Sequence, residues 1–127
     1  MQNQIGLTIL RVVPAAFMLF SHGLGKLQSY TEMKDSFPDP LGIGSHLSLL
    51  CTIGTEVGCA ALIMLGLFSR LASLPLAFTM AIAAFVVHSA DPFAKKEFAL
   101  IYMVIFLAGY FMGPGRFSID YIVRKKM

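Results

Sequence analysis

Charge is what this chain has least of. Only 13% of its 127 residues are Asp, Glu, Lys or Arg, about half the share of an average soluble domain. A water-soluble globule of this size cannot cover its surface with so few charges. Disorder is excluded from the other side. Hydrophobic residues make up 57% of the chain and mean hydropathy is +0.74, too apolar for a chain that stays unfolded. Cysteine is scarce too. Cys51 and Cys59 define no disulfide framework. Eight residues apart on one helix, they lie about 12 Å apart along its axis, too far to pair, and read as small buried apolar residues. The net charge of +3 comes without a basic stripe interleaved with aromatics, so no nucleic-acid partner is expected. His22, His46 and His88 fall on different segments without HxxxH or ExxH spacing, so no metal site is expected. Haem, flavin and iron–sulfur motifs are missing as well, and no cofactor is expected to be built in.

What remains is an integral membrane protein. From Met1 to Gly25 the only charge is Arg11, and from Pro40 to Ser69 the only one is Glu56. Leu71 to Ala90 and Phe98 to Gly115 hold none. A membrane-crossing helix needs roughly 20 mostly apolar residues. Four spans follow, at about 5–24, 46–67, 71–88 and 98–113, forming one domain over 1–127. Backbone groups in lipid must be satisfied internally, so these are helices. The alternation expected of a β-barrel strand is absent. The fold expected is an all-α four-transmembrane-helix bundle, with a short interfacial helix over 29–37 ended by Pro38 and Pro40. Ser45 and Ser69 are expected to cap spans two and three. A basic tail, 116–127, follows Gly113-Pro114-Gly115.

Arg70, Arg116, Arg124, Lys125 and Lys126 flank one side of these spans, and Lys26, Lys34, Lys95 and Lys96 the other. That bias modestly favours both termini in the cytoplasm, with the chain in the cell inner membrane. The first span lacks a basic leader and a small-residue cleavage site, so it reads as a retained span.

Ionisable residues inside a span are costly and face a bundle interior or an aqueous cavity. Arg11 lies about 9 Å from one surface and Glu56 about 15 Å from the other. In a core about 30 Å thick they differ by roughly 6 Å in depth, so an Arg11–Glu56 pair across spans one and two is expected. It is either a static ion pair or a ligand or proton site, and both readings stand. His22 falls about 20° past three full turns from Arg11, on the same face, with Lys26 one turn beyond. His46, His88 and Glu97 sit at the ends of the other spans. Together they form a candidate pocket or proton relay of Arg11, His22, Lys26, Glu56, His88 and Glu97. Headgroup contact and snorkelling are the plainer account of the interfacial members.

Gly54 and Gly58 form a small-xxx-small pair for close helix approach, on the face opposite Glu56, toward a helix of the same chain or of a homodimer partner. Pro14 frees the Leu10 carbonyl as an acceptor for Arg11. Arg70 and Arg116 are expected at one interface, beside anionic headgroups. Ser118 and Asp120 are expected to cap a tail helix lying on the bilayer.

Arg11, the run Ser21-His22-Gly23-Leu24-Gly25-Lys26, Glu56 with Gly58, Gly66-Leu67-Phe68-Ser69-Arg70, His88, and Gly113-Pro114-Gly115-Arg116-Phe117-Ser118-Ile119-Asp120 appear in this order along nearly the whole chain. In this the chain resembles the DoxX family of small four-helix membrane proteins. Where that family has a glycine pair after the span-two glutamate, this chain has Gly58-Cys59. The resemblance implies a four-helix bundle with cytoplasmic termini. For some members it implies a membrane subunit of thiosulfate:quinone oxidoreductase, or association with superoxide dismutase and a sulfurtransferase; many have no assigned activity. Two functions are therefore carried forward. One is a membrane component of a quinone-linked oxidoreductase system, with a diffusible quinone and redox-enzyme partner subunits. The other is a non-enzymatic scaffold, small-molecule binder or small transporter.

Overall fold

The computed structural model describes residues 1–126; the side chain of Lys126 and all of Met127 lie outside the described residues. Every regular element described is helical. We number them α1 (Gln2–Gln28), α2 (Tyr30–Met33), α3 (Ser45–Leu65), α4 (Ser69–Val87), α5 (Phe93–Met112) and α6 (Ile119–Lys126). Helices α1, α3 and α4 are long and apolar enough to cross a membrane. The fourth expected span differs. Helix α5 has 20 residues, but Lys95, Lys96 and Glu97 sit near its start, so its apolar stretch begins only at Phe98.

Helix α1 packs on α3 and α5, and α4 packs on the same two, so the four long helices close a ring. Its interior holds mostly small or flexible side chains: Ala15, Met18, Ala60, Leu76 and Ala84 are fully buried, and Ser69 and Ser73 nearly so, with Ile63 and Phe106 packed among them. The large aromatics Phe17, Phe20, Phe78, Phe85, Phe98 and Phe111 are each more than half exposed. This distribution suits lipid as solvent. Burying a phenylalanine gains nothing there, whereas small residues let helices approach closely.

Several element ends depart from expectation. Helix α1 runs past Leu24 to Gln28 and carries Lys26 on it. The interfacial helix over 29–37 shrinks to the single turn α2. Helix α3 stops where Gly66 turns left-handed, at φ +71°. Neither Ser45 nor Ser69 acts as the expected cap. The N-terminus of α3 is held by Asp39, whose carboxylate accepts from the Ile43 and Gly44 amides and from Ser48 Oγ at 2.7–2.9 Å. The N-terminus of α4 is held by Asp120, from 51 residues further along the chain. Each of α1, α3 and α4 also contains one widened π-helical turn, over Met18–Gly23, Gly54–Cys59 and Ala83–Val87. Such turns re-aim side chains within an otherwise regular helix and recur at functional sites.

Candidate functional site

Glu56 sits in the π turn of α3, and its residue is only 3% exposed. A carboxylate so placed needs a partner. The partner is Lys26, whose Nζ lies 2.8 Å from Glu56 Oε1, and not Arg11 as expected. Two features produce this pairing. Helix α1 continues far enough for Lys26 to lean back toward Glu56. Arg11 is meanwhile engaged at the other end of the bundle by carbonyls that the chain's turns leave without helical donors. Helices α1 and α3 approach closely beside Glu56, at Gly23. A Cβ on Gly23 would lie 2.8 Å from the Glu56 carbonyl carbon and oxygen and from a Val57 methyl. The close-approach glycine is therefore Gly23. A Cβ on Gly54 or Gly58 would meet nothing within 4 Å, so the face they share is uncovered in this chain.

The Lys26–Glu56 pair borders a cavity of about 440 Å³ between α3 and α4, within the ordinary size of small-ligand sites. Its polar wall includes Ser48, Thr52, Thr55 and Thr79, and Thr79 Oγ1 donates to Thr55 Oγ1 across the helix seam at 3.0 Å. Its apolar wall comes from Phe78, Ile82 and Val87 of α4 and from the loop before α3, through Phe37, Leu41 and Ile43. Cys51, a free exposed thiol, also lines it.

The candidate pocket residues divide. Lys26, Glu56 and His88 border the cavity. His88 stands at its rim, with Nδ1 2.7 Å from Asp91 Oδ2. That hydrogen bond is the main reason the Asp91 carboxyl titrates below the ordinary carboxylate range, helped by Lys95 and Lys96 and opposed by desolvation. His22 is not in the cavity. It is exposed on the α5 side, edge-on to Tyr102 at 5.7 Å between ring centres. Glu97 is exposed and apart from the cavity as well. His46 shares a hydrogen bond with the Tyr30 hydroxyl. No three His, Cys, Asp or Glu side chains converge as a metal site among the described residues.

The opposite end is a knot of turns. Arg11 Nη1 donates to the Pro114 carbonyl at 2.5 Å, and Nη2 donates to those of Phe117 at 2.8 Å and Met64 at 3.4 Å. The Leu10 carbonyl freed by Pro14 plays no part. Asp120 accepts from the Phe68 and Ser69 amides at 2.8 and 2.9 Å, while its own amide donates to the Gly66 carbonyl. Phe68 is held at φ +51°, a strained backbone for a bulky residue that those two bonds stabilise. The Arg70 guanidinium lies over Gly113, where a Cβ would come within 2.7 Å of it. The Arg116 amide donates to Gln4 Oε1. Of the two caps expected for the tail helix, Ser118 serves it, accepting from the Tyr121 amide at 3.3 Å, whereas Asp120 is spent on α4. A cleft of about 170 Å³ remains here, bordered by Arg11, Ser69 and Ser73; Arg11 Nε is buried without a partner among the described residues.

Comparison with known proteins places this geometry in a context. The family model described as DoxX matches residues 6–89. Two Haemophilus influenzae proteins are similar, both described as uncharacterized. One is 34% identical over 121 residues, covering 90% of this chain and 87% of that protein. The other is 26% identical over 129 residues, covering 95% and 85%. No solved structure matches the chain.

Proposed function

The chain belongs to the DoxX family, and we propose that it is the quinone-binding membrane component of an oxidoreductase system, taking the quinone ring against Lys26 and Glu56. The observation that carries this reading is the 440 Å³ cavity with apolar walls and one buried ion pair at its edge. The ammonium has hydrogens to spare for a ring carbonyl. Glu56 Oε1 holds Lys26, and Oε2 has no hydrogen-bond partner among the described residues, so it can accept from the hydroxyl of the reduced ring. Electrons then pass to or from partner subunits. In this reading the protein crosses the inner membrane four times, with both termini in the cytoplasm. The Arg11 end faces inward, where Arg70, Arg116 and Arg124 meet anionic headgroups.

The test is thermal unfolding of the purified protein with and without a short-chain quinone. A ligand that binds only the folded state raises the melting temperature. The shift is expected in the wild type and is expected to vanish in folded Glu56→Gln and Lys26→Met. No shift in the wild type overturns the reading.

A second reading, a non-enzymatic scaffold, binder or transporter working as a homodimer, has one observation in its favour: Gly54 and Gly58 lie open on the outer face of α3. It gains if Gly54→Leu converts a dimer to a monomer without altering quinone binding.

A further inference from the structure

The polar side chains of α3 keep to one face. Ser48, Thr52, Thr55 and Glu56 fall within about 100° of arc, and all four line the cavity beside Lys26. Every other residue from Leu47 to Leu65 is Leu, Ile, Val, Met, Ala, Gly or Cys. The stripe begins at the charged end of the bundle, where Ser48 Oγ donates to Asp39 Oδ1 at 2.8 Å. Glu32, Lys34 and Asp35 stand in the same connection, and Asp91, Lys95 and Lys96 in the next one at that end. From Ser48 to Glu56 the stripe runs eight residues, about 12 Å. Beyond Glu56 the way is shut. Ala15, Met18, Ala60, Ile63, Leu76 and Met80, each at most 5% exposed, fill the core between Glu56 and the Arg11 end.

The ion pair at the inner end of the stripe has hydrogen-bonding capacity to spare. Lys26 Nζ uses one of its three hydrogens on Glu56 Oε1. Oε2 has no partner, yet among the described residues only Arg11 Nε is both partnerless and sealed. Oε2 therefore opens onto the cavity. An ion pair with its remaining valences unmet is costly in a dry apolar space. Water meets them where it finds two to four polar partners. Oε2, Nζ and the hydroxyl oxygens of Thr52, Thr55 and Thr79 supply those partners along one wall. The cavity of about 440 Å³ far exceeds the roughly 10–15 Å³ that admits one water. Its border along the α3–α4 seam, at Cys51 and Phe78, is exposed as well, but that side faces lipid, which supplies no water.

We propose that the hydroxyl stripe of α3 lines a water-filled vestibule that opens at the 37–43 loop and ends at Glu56, so that water and protons reach the Lys26–Glu56 pair from that side of the membrane alone. The titratable groups along it are Lys26 and Glu56 at its end, Cys51 and His88 on its wall, and Asp39 at its mouth. The vestibule stands on the stripe and the pair; that its protons serve a bound quinone rests on the reading given above.

The experiment uses the full chain with Cys51→Ala and Cys59→Ala, carrying one new cysteine at a time. The probe is a small, charged, lipid-excluded methanethiosulfonate. In lipid nanodiscs, Thr52→Cys and Thr55→Cys are expected to react at least tenfold faster than two controls. One is Gly54→Cys, at the same depth on the open face of α3; the other is Ala60→Cys, one turn deeper in the core. If Thr55→Cys does not fold, Thr52→Cys carries the comparison. Stripe cysteines that react no faster than Gly54→Cys overturn the vestibule. Sidedness is read in sealed vesicles holding the protein in unequal orientations, with the reagent outside. The labelled fraction of Thr55→Cys is expected to equal that of Leu41→Cys, exposed in the loop. A fraction equal to that of Phe117→Cys, exposed at the Arg11 end, or labelling of all molecules, overturns one-sided access. Fast stripe cysteines without a quinone-induced rise in melting temperature leave the vestibule standing and overturn the quinone reading. A quinone-induced rise with slow stripe cysteines does the reverse.

Discussion

The two ends of this bundle treat a buried charge in opposite ways. At one end Arg11 makes three hydrogen bonds, all to backbone carbonyls, and draws the 113–117 turn and the end of α3 onto α1. At the other, Glu56 and Lys26 have one ionic contact between them and border a cavity of about 440 Å³, against about 170 Å³ at the Arg11 end. A charge whose hydrogen bonds all go to backbone carbonyls, from the end of α3 and from the 113–117 turn, holds the fold. A pair with hydrogen-bonding capacity left over beside an apolar space is equipped to hold something else. The comparison teaches that an intramembrane charge is read by what remains uncommitted around it, as well as by its depth.

The strongest way to break the comparison is to exchange the roles. Arg11→Ala leaves the Pro114, Phe117 and Met64 carbonyls without their donor and undocks the turn, at an expected cost of about 3–5 kcal/mol. Loss of the monodisperse folded peak in detergent chromatography checks it; an Arg11→Ala protein as stable as the wild type removes the structural assignment. Next comes helix contact. Gly23→Ala forces a Cβ against the Glu56 backbone and is expected to cost about 1–3 kcal/mol. Gly54→Ala and Gly58→Ala, which meet nothing, should stay within about 0.5 kcal/mol. Thermal melts of the three side by side decide it, and equal losses would mean that another helix covers the Gly54 face. Glu56→Gln keeps a hydrogen-bond acceptor for Lys26 and should cost only about 1 kcal/mol while ligand binding is lost. A Glu56→Gln protein that unfolds as Arg11→Ala does would make the two ends alike.

The smallest effect is set by pH. The Asp39 carboxyl is held below the ordinary carboxylate range, first by the Ser48 hydrogen bond and then by the Gly44, Ile43 and Gly42 amides, against an opposing desolvation. A depressed folded-state pKa stabilises the fold above the unfolded-state value. That contribution disappears as pH falls through the depressed value. Melting temperatures measured from pH 7 down to pH 3 should therefore converge for wild type and Asp39→Asn. A gap that stays constant would mean that Asp39 does not hold the loop.

How much could be read in advance follows the range of the interactions. The apolar runs announced their helices because a gap in charge is a local property. Arg11 and Glu56 stood out because a charge inside such a run is conspicuous wherever it sits. Their pairing did not follow from depth alone. The carbonyls of Pro114 and Phe117 compete for Arg11 from more than 100 residues away, and no spacing in the chain records that. Asp120 was misassigned for the same reason. At the start of the tail segment, it looked like a cap for its own helix, whereas the amides it takes belong to Phe68 and Ser69. Gly23 carried a faint signal in the run Ser21-His22-Gly23, but the glycine spacing of Gly54 and Gly58 was louder and pointed to a face that nothing in the chain covers.

By itself the sequence determined that the chain is helical, that long apolar segments set its architecture, and that Arg11 and Glu56 are its two anomalous charges. Backbone in an apolar solvent has few alternatives to the helix, and charge there is rare enough to be seen one residue at a time. Only the tertiary structure decided which partner each charge takes, which glycine lies at the helix contact, and that the open space adjoins Glu56 and Lys26. Those outcomes depend on helix length, on π turns that rotate side chains, and on loops folding back from distant parts of the chain. None of these is written in any single segment.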